Sequence, residues 1–319
     1  MILRLFLGNQ LAVLFLIPLV VFGYLFCNHS IGYFEYTSSL DLGLWGLVKV
    51  KEIANYLPWL SGILVCLNAY LLNFFFNRNG FHEKNSYVVS LLYVILMSYY
   101  RSFYYADGLL LAHTFILIAF MLIFQLEYNQ EGRKLSFNFG FFFGVAITFH
   151  PALIFILPFV WLMMTRIRPF VFREAILVCF GMAVPILYSL ILAFYVNKEI
   201  NFNFIESTKR YTQKELIFLV SLVLFALLLI TSWVGIRNKT LKSSIRFRKN
   251  TQVLYLFLWF SIGLGTVDWI FYQQYEWFCY STLPIALFLP FSYLNVKYTF
   301  ISDILFYTVF GFSVIKFFI

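Results

Sequence analysis

Several acidic and basic side chains in this chain suit chemistry on a phosphate-linked substrate. Five acids fall between apolar segments, at positions that we assign to one side of a membrane: Glu35, Asp41, Asp107, Asp268 and Glu276. A carboxylate at the lipid boundary can act as general base on an acceptor hydroxyl, or bind a divalent cation. The same side receives four residues that can neutralise a phosphate leaving group: Arg101, His150, Lys209 and Arg210.

Each of these residues also has a plainer interpretation. Asp107 opens an apolar segment six residues after Arg101, where an acid can simply complement the dipole of the following helix. His150 precedes Pro151 and can bind a phosphate or a metal, or lie at the interface as an ordinary polar residue. Asp268 and Glu276 flank FYQQYEW and can contact the sugar or the acceptor. The aromatic rings of this stretch can stack on a sugar or form an interfacial belt.

Composition identifies the environment in which these residues act. The chain of 319 residues is 62% hydrophobic and only 12% charged, which predicts an all-α, polytopic membrane protein. Its net charge of +9 does not indicate nucleic acid, because the basic residues gather in loops that we assign to the cytoplasm. The four cysteines show no metal-ligand spacing and no disulfide pattern.

The orientation of the segments depends on an uncharged stretch from Phe139 to Met164. As one helix, it would place Lys134 and Arg166 on opposite sides of a bilayer, against the positive-inside rule. As a hairpin of two short helices with its tip at His150 and Pro151, it returns both basic residues to the cytoplasm. We predict the hairpin, with its tip inside the outer leaflet or covered by protein, and with Pro151 starting the second arm.

This topology gives about 11 membrane segments in a single domain covering residues 1–319. We interpret the amino terminus as a retained first helix, with Arg4 anchoring it in the cytoplasm. Residues 1–236 form the core of the domain and residues 251–319 its C-terminal helices. In the loop after the first helix, Leu42, Trp45 and Val48 fall on one side of a helix that would lie in the membrane interface.

Three stretches resemble membrane glycosyltransferases of the GT-C class. They are FNRNGFHEKNSYVVSLLYVILMSYYRSFYYADGLLLAHTFILIAFMLIF, the hairpin with the helix that follows it, and WFCYSTLPIALFLPFSYL. The resemblance implies a GT-C-like helix arrangement in a bacterial inner membrane. It also implies transfer of a sugar from a polyprenyl-phosphate carrier to an acceptor on the non-cytoplasmic face.

The same resemblance assigns roles to particular residues. Asp107 matches the second acid of the class, at the start of the fourth helix. The first acid falls to Glu35 or Asp41, which stand in the right loop without an adjacent acidic partner. His150 stands where the class often has Lys. These departures leave a second interpretation open, a non-catalytic subunit of an envelope complex with membrane protein partners.

Overall fold

The structure, a computed structural model, describes residues 2–8, 10–34, 39–49, 56–126, 132–195, 215–294 and 300–318. Most of these residues are α-helical, in thirteen helices: α1 Ile2–Leu7, α2 Leu16–Ile31, α3 Leu57–Arg78, α4 Val88–Met97, α5 Gly108–Gln125, α6 Gly132–Phe149, α7 Leu157–Ile167, α8 Phe172–Tyr195, α9 Glu215–Lys242, α10 Ile245–Tyr272, α11 Thr282–Phe288, α12 Phe291–Leu294 and α13 Phe300–Ile315. Five 3-10 segments accompany them: Leu11–Phe15, Gly43–Trp45, Arg101–Phe103, Pro151–Ile156 and Glu276–Ser281.

Helix length and apolarity make this a polytopic membrane protein, as the composition predicts. Within the described residues, seven helical stretches are long and apolar enough to cross a membrane: Leu11–Ile31, Leu57–Arg78, Gly108–Gln125, Phe172–Tyr195, Leu222–Lys242, Ile245–Tyr272 and Glu276–Leu294. Their outward surfaces expose large apolar side chains such as Trp59, Phe194 and Trp259. Such surfaces are suited to lipid rather than water. The all-α prediction is confirmed, and the count of about 11 segments stays a prediction.

The predicted hairpin is present. Helix α6 ends at Phe149, and His150 separates it from the 3-10 segment Pro151–Ile156, which leads into α7. At the far end of α7, Arg168 forms an ion pair with Glu174. Both side chains lie against Gly132, the first residue of α6. The two arms of the hairpin therefore begin and end at the same end of the bundle.

That end, which we call the basic end, also collects other cationic segments. Lys239 at the end of α9 donates a hydrogen bond to the carbonyl of Phe81, in the turn between α3 and α4. The backbone N–H of Tyr87 donates to the Phe6 carbonyl at 2.9 Å, so that α1 lies at this end as well. The expectation that the first helix starts on the basic side agrees with this arrangement.

The loop after α2 corrects one expectation. Strand β1, Ser39–Asp41, pairs antiparallel with β2, Leu47–Lys49, with a 3-10 turn between them. The interfacial helix predicted around Trp45 is therefore wrong. Gly43 and Gly46 adopt φ values of 63° and 78°, which favour glycine and interrupt a right-handed helix.

Helices α6 and α8 approach each other closely through small residues. Gly140 and Gly144 of α6 lie against the backbone of Val178 and Met182 of α8, and Gly181 of α8 lies against α6 in return. In lipid, helices associate through such close backbone packing, because the apolar solvent provides little driving force between them.

Replacing Gly144 by Ala should destabilise the protein. The new Cβ would lie 2.6 Å from the Met182 carbonyl oxygen, and such overpacking costs about 1–3 kcal/mol. Gly263 in α10 is the matched control, since a Cβ there meets nothing within 4 Å. We expect a lower thermal midpoint for Gly144→Ala, and an unchanged or slightly higher one for Gly263→Ala, by circular dichroism in nanodiscs. Equal midpoints would contradict the packing.

Candidate functional site

Asp107 sits immediately before α5 and caps it. One carboxylate oxygen accepts the backbone N–H of Leu110 at 2.8 Å, and the other accepts the Ser102 hydroxyl at 2.8 Å. Burial raises the pKa of Asp107, while these two donors and the charge of Arg101 oppose that rise. The carboxylate is thus held in one orientation by the start of the helix that it caps.

Glu276 lies beside Asp107, although it is far away in the chain. Its carboxylate accepts the backbone N–H of Arg101, at 3.2 Å from one oxygen and 3.4 Å from the other. Glu276 also interacts electrostatically with Asp107 and with the charge of Arg101. All three residues are partly exposed. We call Asp107 and Glu276 the acid pair, and the end of the bundle that holds them the acid end.

Asp268 of α10 is linked to the segment that carries Glu276. It is 1% exposed, and its carboxylate accepts the backbone N–H of Trp277 at 3.0 Å. This bond ties the last turn of α10 to the 3-10 segment that starts at Glu276. Asp268 also interacts electrostatically with Glu276. Asp268 is therefore suited to orienting the 3-10 segment that begins at Glu276.

His150, at the tip of the hairpin, is buried at the same end. Its Nδ1 atom shares a hydrogen bond of 2.8 Å with the hydroxyl of Tyr280. The imidazole stacks on Tyr280 and meets the Trp277 ring edge to face at 4.7 Å. The tip is therefore covered by protein, as predicted, and the imidazole joins the hairpin to the segment that carries Glu276.

A second buried histidine lies deeper in the bundle. His113 of α5 packs against the rings of Tyr280 and Tyr93, at 6.0 Å and 5.7 Å between centroids. Within the part of the chain that the structure describes, neither of its ring nitrogens has a hydrogen-bond partner. Nearby on α3 and α5, Asn68 donates to the Thr114 hydroxyl at 3.0 Å. These residues form a polar patch beneath the acid pair.

Four predicted site residues remain: Glu35, Asp41, Lys209 and Arg210. Glu35, Lys209 and Arg210 lie outside the described residues. The backbone of Asp41 belongs to β1, and its neighbour Leu40 packs against Leu57 and Ala106. Because Ala106 directly precedes Asp107, β1 passes close to the acid pair.

A divalent cation remains a prediction without a described site. Among the residues whose positions are given, no group of three or more His, Cys, Asp and Glu side chains is placed to hold a metal ion. The acid pair with Arg101 is instead suited to proton transfer and to binding an anion, since Arg matches the geometry of phosphate oxygens.

Sequence reasoning missed the partners that organise this site. Ser102 and Tyr280 were not among the predicted residues, and Glu276 was expected to contact a sugar rather than to pair with Asp107. The bond between Arg101 and Glu276 joins residues 175 positions apart. No local spacing signals such a contact.

The two histidines give a paired prediction on stability. His150→Phe should lower the thermal midpoint, because it leaves the buried Tyr280 hydroxyl without its partner, at a cost of about 1–3 kcal/mol. His113→Phe keeps a ring while removing two buried nitrogens, so its midpoint should be unchanged or higher. Thermal unfolding in nanodiscs measures both. Equal losses in the two variants would show that His113 is hydrogen-bonded in the membrane.

Comparison with known proteins adds a family but no activity. No curated protein and no solved structure matches the chain. Residues 42–318, which include Arg101, Asp107, His150, Asp268 and Glu276, match one family model. The chain therefore belongs to DUF6427, a family of unknown function.

Proposed function

We propose that the protein is a membrane-embedded glycosyltransferase that moves a sugar from a polyprenyl-phosphate carrier to an acceptor at the acid pair. One observation carries this proposal. Arg101, Asp107 and Glu276 come from separate segments and gather, partly exposed, at one end of an apolar helical bundle. General acid-base residues beside a phosphate-binding cation are what sugar transfer from a lipid phosphate requires.

The hydrogen bonds suggest different roles for the two acids. Both oxygens of Asp107 accept short bonds, one from Ser102 and one from the Leu110 backbone, so Asp107 is suited to orienting and supporting its neighbour. Glu276 accepts only the longer bonds from the Arg101 backbone among the contacts described, and it is suited to act as the base. Glu35 or Asp41, which both follow α2 in the chain, is an alternative base.

The proposed step is a direct displacement. Glu276 accepts the proton of the acceptor hydroxyl as that oxygen bonds to the anomeric carbon. The bond from the anomeric carbon to the phosphate oxygen breaks, and its electrons leave with the polyprenyl phosphate. Arg101 stabilises the negative charge on that leaving group. Attack opposite the leaving group inverts the anomeric centre.

The charge distribution supports an orientation for this reaction. The positive-inside rule places the basic end in the cytoplasm, and therefore the acid end on the other face. A bacterial inner membrane, with the sugar carrier presented on its non-cytoplasmic side, fits that arrangement.

Replacing each acid in turn should distinguish the general base, Glu276, from the acid that supports it, Asp107. Glu276→Gln should reduce consumption of the lipid-linked sugar about 10²–10⁴-fold, the usual contribution of a general base. Asp107→Asn should reduce it less, since the amide oxygen can still accept one capping bond. The measurement is turnover of a panel of polyprenyl-phosphate hexoses and pentoses by the protein in nanodiscs.

Glu83→Gln is the matched control for these variants. Glu83 is an exposed acid in the turn at the basic end, so its replacement should leave turnover unchanged. If Glu276→Gln and Asp107→Asn together consume the donor at the wild-type rate, the acid pair has no part in catalysis and the proposal fails.

A second function is favoured by the hydrogen bonds that the three acids accept from the backbone. Asp107 caps α5, Asp268 holds the Trp277 backbone, and Glu276 holds the Arg101 backbone. Acids used in this way suit a non-catalytic subunit of an envelope complex. That function predicts stable membrane protein partners when the tagged chain is purified from its native membrane in mild detergent. A monomer that consumes the donor would exclude it.

A further inference from the structure

An apolar groove lies between α7 and α8, near the basic end and away from the acid pair. Its volume is about 480 Å³, and its lining consists of Trp161, Phe170, Phe172, Ala175, Ile176, Cys179, Phe180 and Ala183. Several of these side chains are exposed, including Phe170, Phe172 and Phe180. The groove is therefore open on the apolar outer surface of the bundle, where lipid chains pack.

Two exposed arginines, Arg166 and Arg173, lie close in the chain to residues that line this groove. Arg166 lies in the last turn of α7 and Arg173 in the first turn of α8. Arg173 is three residues before Ile176, which places it one turn above a groove residue on the same helix face. Both arginines mark the point where the apolar segments end, the depth of the lipid headgroups.

A third arginine of the same connection has a different role. Arg168 is paired with the buried Glu174, and both contact Gly132. This ion pair holds the connection between α7 and α8 against the start of α6. Arg166 and Arg173 belong to the same short stretch of chain that this ion pair fixes.

We propose that this groove binds one acyl chain of an anionic phospholipid from the leaflet at the basic end, with Arg166 and Arg173 on its phosphate. The groove has a volume of about 480 Å³ and an almost wholly apolar lining, which gives room for part of one acyl chain. Basic pockets between membrane helices on the cytoplasmic side bind anionic headgroups in this way.

The site is independent of the proposed glycosyltransferase activity. It lies at the opposite end of the bundle from the acid pair, and its residues take no part in the displacement step. Loss of lipid binding would therefore leave the proposed chemistry intact, and failure of the chemistry would leave the lipid site intact.

Photocrosslinking tests the proposal. The protein is placed in nanodiscs with a trace of phosphatidylglycerol, or of phosphatidylcholine, that carries a diazirine in the middle of one acyl chain. After irradiation, mass spectrometry locates the labelled residues. We expect phosphatidylglycerol to label the stretch from Phe172 to Ala183 in clear excess over phosphatidylcholine, by about fivefold for each arginine that contacts the phosphate.

Three variants distinguish the contribution of the lipid headgroup from that of the acyl chain. Arg166→Gln with Arg173→Gln should reduce phosphatidylglycerol labelling to the phosphatidylcholine level. Arg237→Gln, an exposed arginine of α9 at the same end, should leave the excess unchanged. Ala183→Trp should abolish labelling of the groove by filling it while both arginines remain.

Three results would overturn the proposal. Equal labelling of the groove by the two lipids would show ordinary solvation by the bilayer. An excess that survives the double arginine replacement would show that another feature selects the headgroup. Crosslinks from the groove to another polypeptide in place of lipid would identify a protein interface.

Discussion

The reversal of the chain at His150 is the constraint on which the rest of the structure depends. A helix break within an apolar bundle frees backbone groups that lipid cannot hydrogen-bond. Here the His150 N–H still bonds to the Ala146 carbonyl at 3.0 Å, and its own carbonyl accepts the Leu153 N–H at 3.1 Å. The short β-ladder closes over the tip, with Gly43 against the Phe149 carbonyl. The hairpin can exist because protein covers it.

The cover over the hairpin also assembles the acid pair. The 3-10 segment Glu276–Ser281 supplies Tyr280 to His150 at one end and Glu276 to the Arg101 backbone at the other. Asp268 anchors the same segment from α10. Anything that displaces the tip therefore displaces Glu276 relative to Asp107. The fold and the proposed chemistry share one structural element.

The positions of the basic residues predicted much of the fold, because membrane topology follows the positive-inside rule. The basic residues on both sides of the uncharged stretch, Lys134 and Arg166 among them, predicted the hairpin. Pro151 predicted the start of the second arm, because proline lacks a backbone donor and suits the first position of a helix. Periodicity was less reliable in the loop after α2, where Leu42, Trp45 and Val48 have helical spacing. The glycines at 43 and 46 decide the local backbone there, and the segment forms a β-ladder instead.

The site was harder to predict than the fold, for a physical reason. Asp107 could be identified from its position before a helix, since capping is local. Its pairing with Glu276 depends on how α5 and the 3-10 segment pack in three dimensions, and the same holds for His150 and Tyr280. A sequence read on its own contains the members of these pairs, but no local pattern that joins them.

The glycines of α6 connect the hairpin to the groove at the basic end. Gly140 and Gly144 draw α6 against α8, while α7 packs chiefly on α10, where Phe159 meets Phe260 at 5.3 Å. The two arms of one hairpin are thus held by different neighbours. Because α7 packs on α10, it does not pack fully against α8. The space left between α7 and α8 is the groove. Close packing on one side of α8 therefore leaves room for a lipid chain on the other.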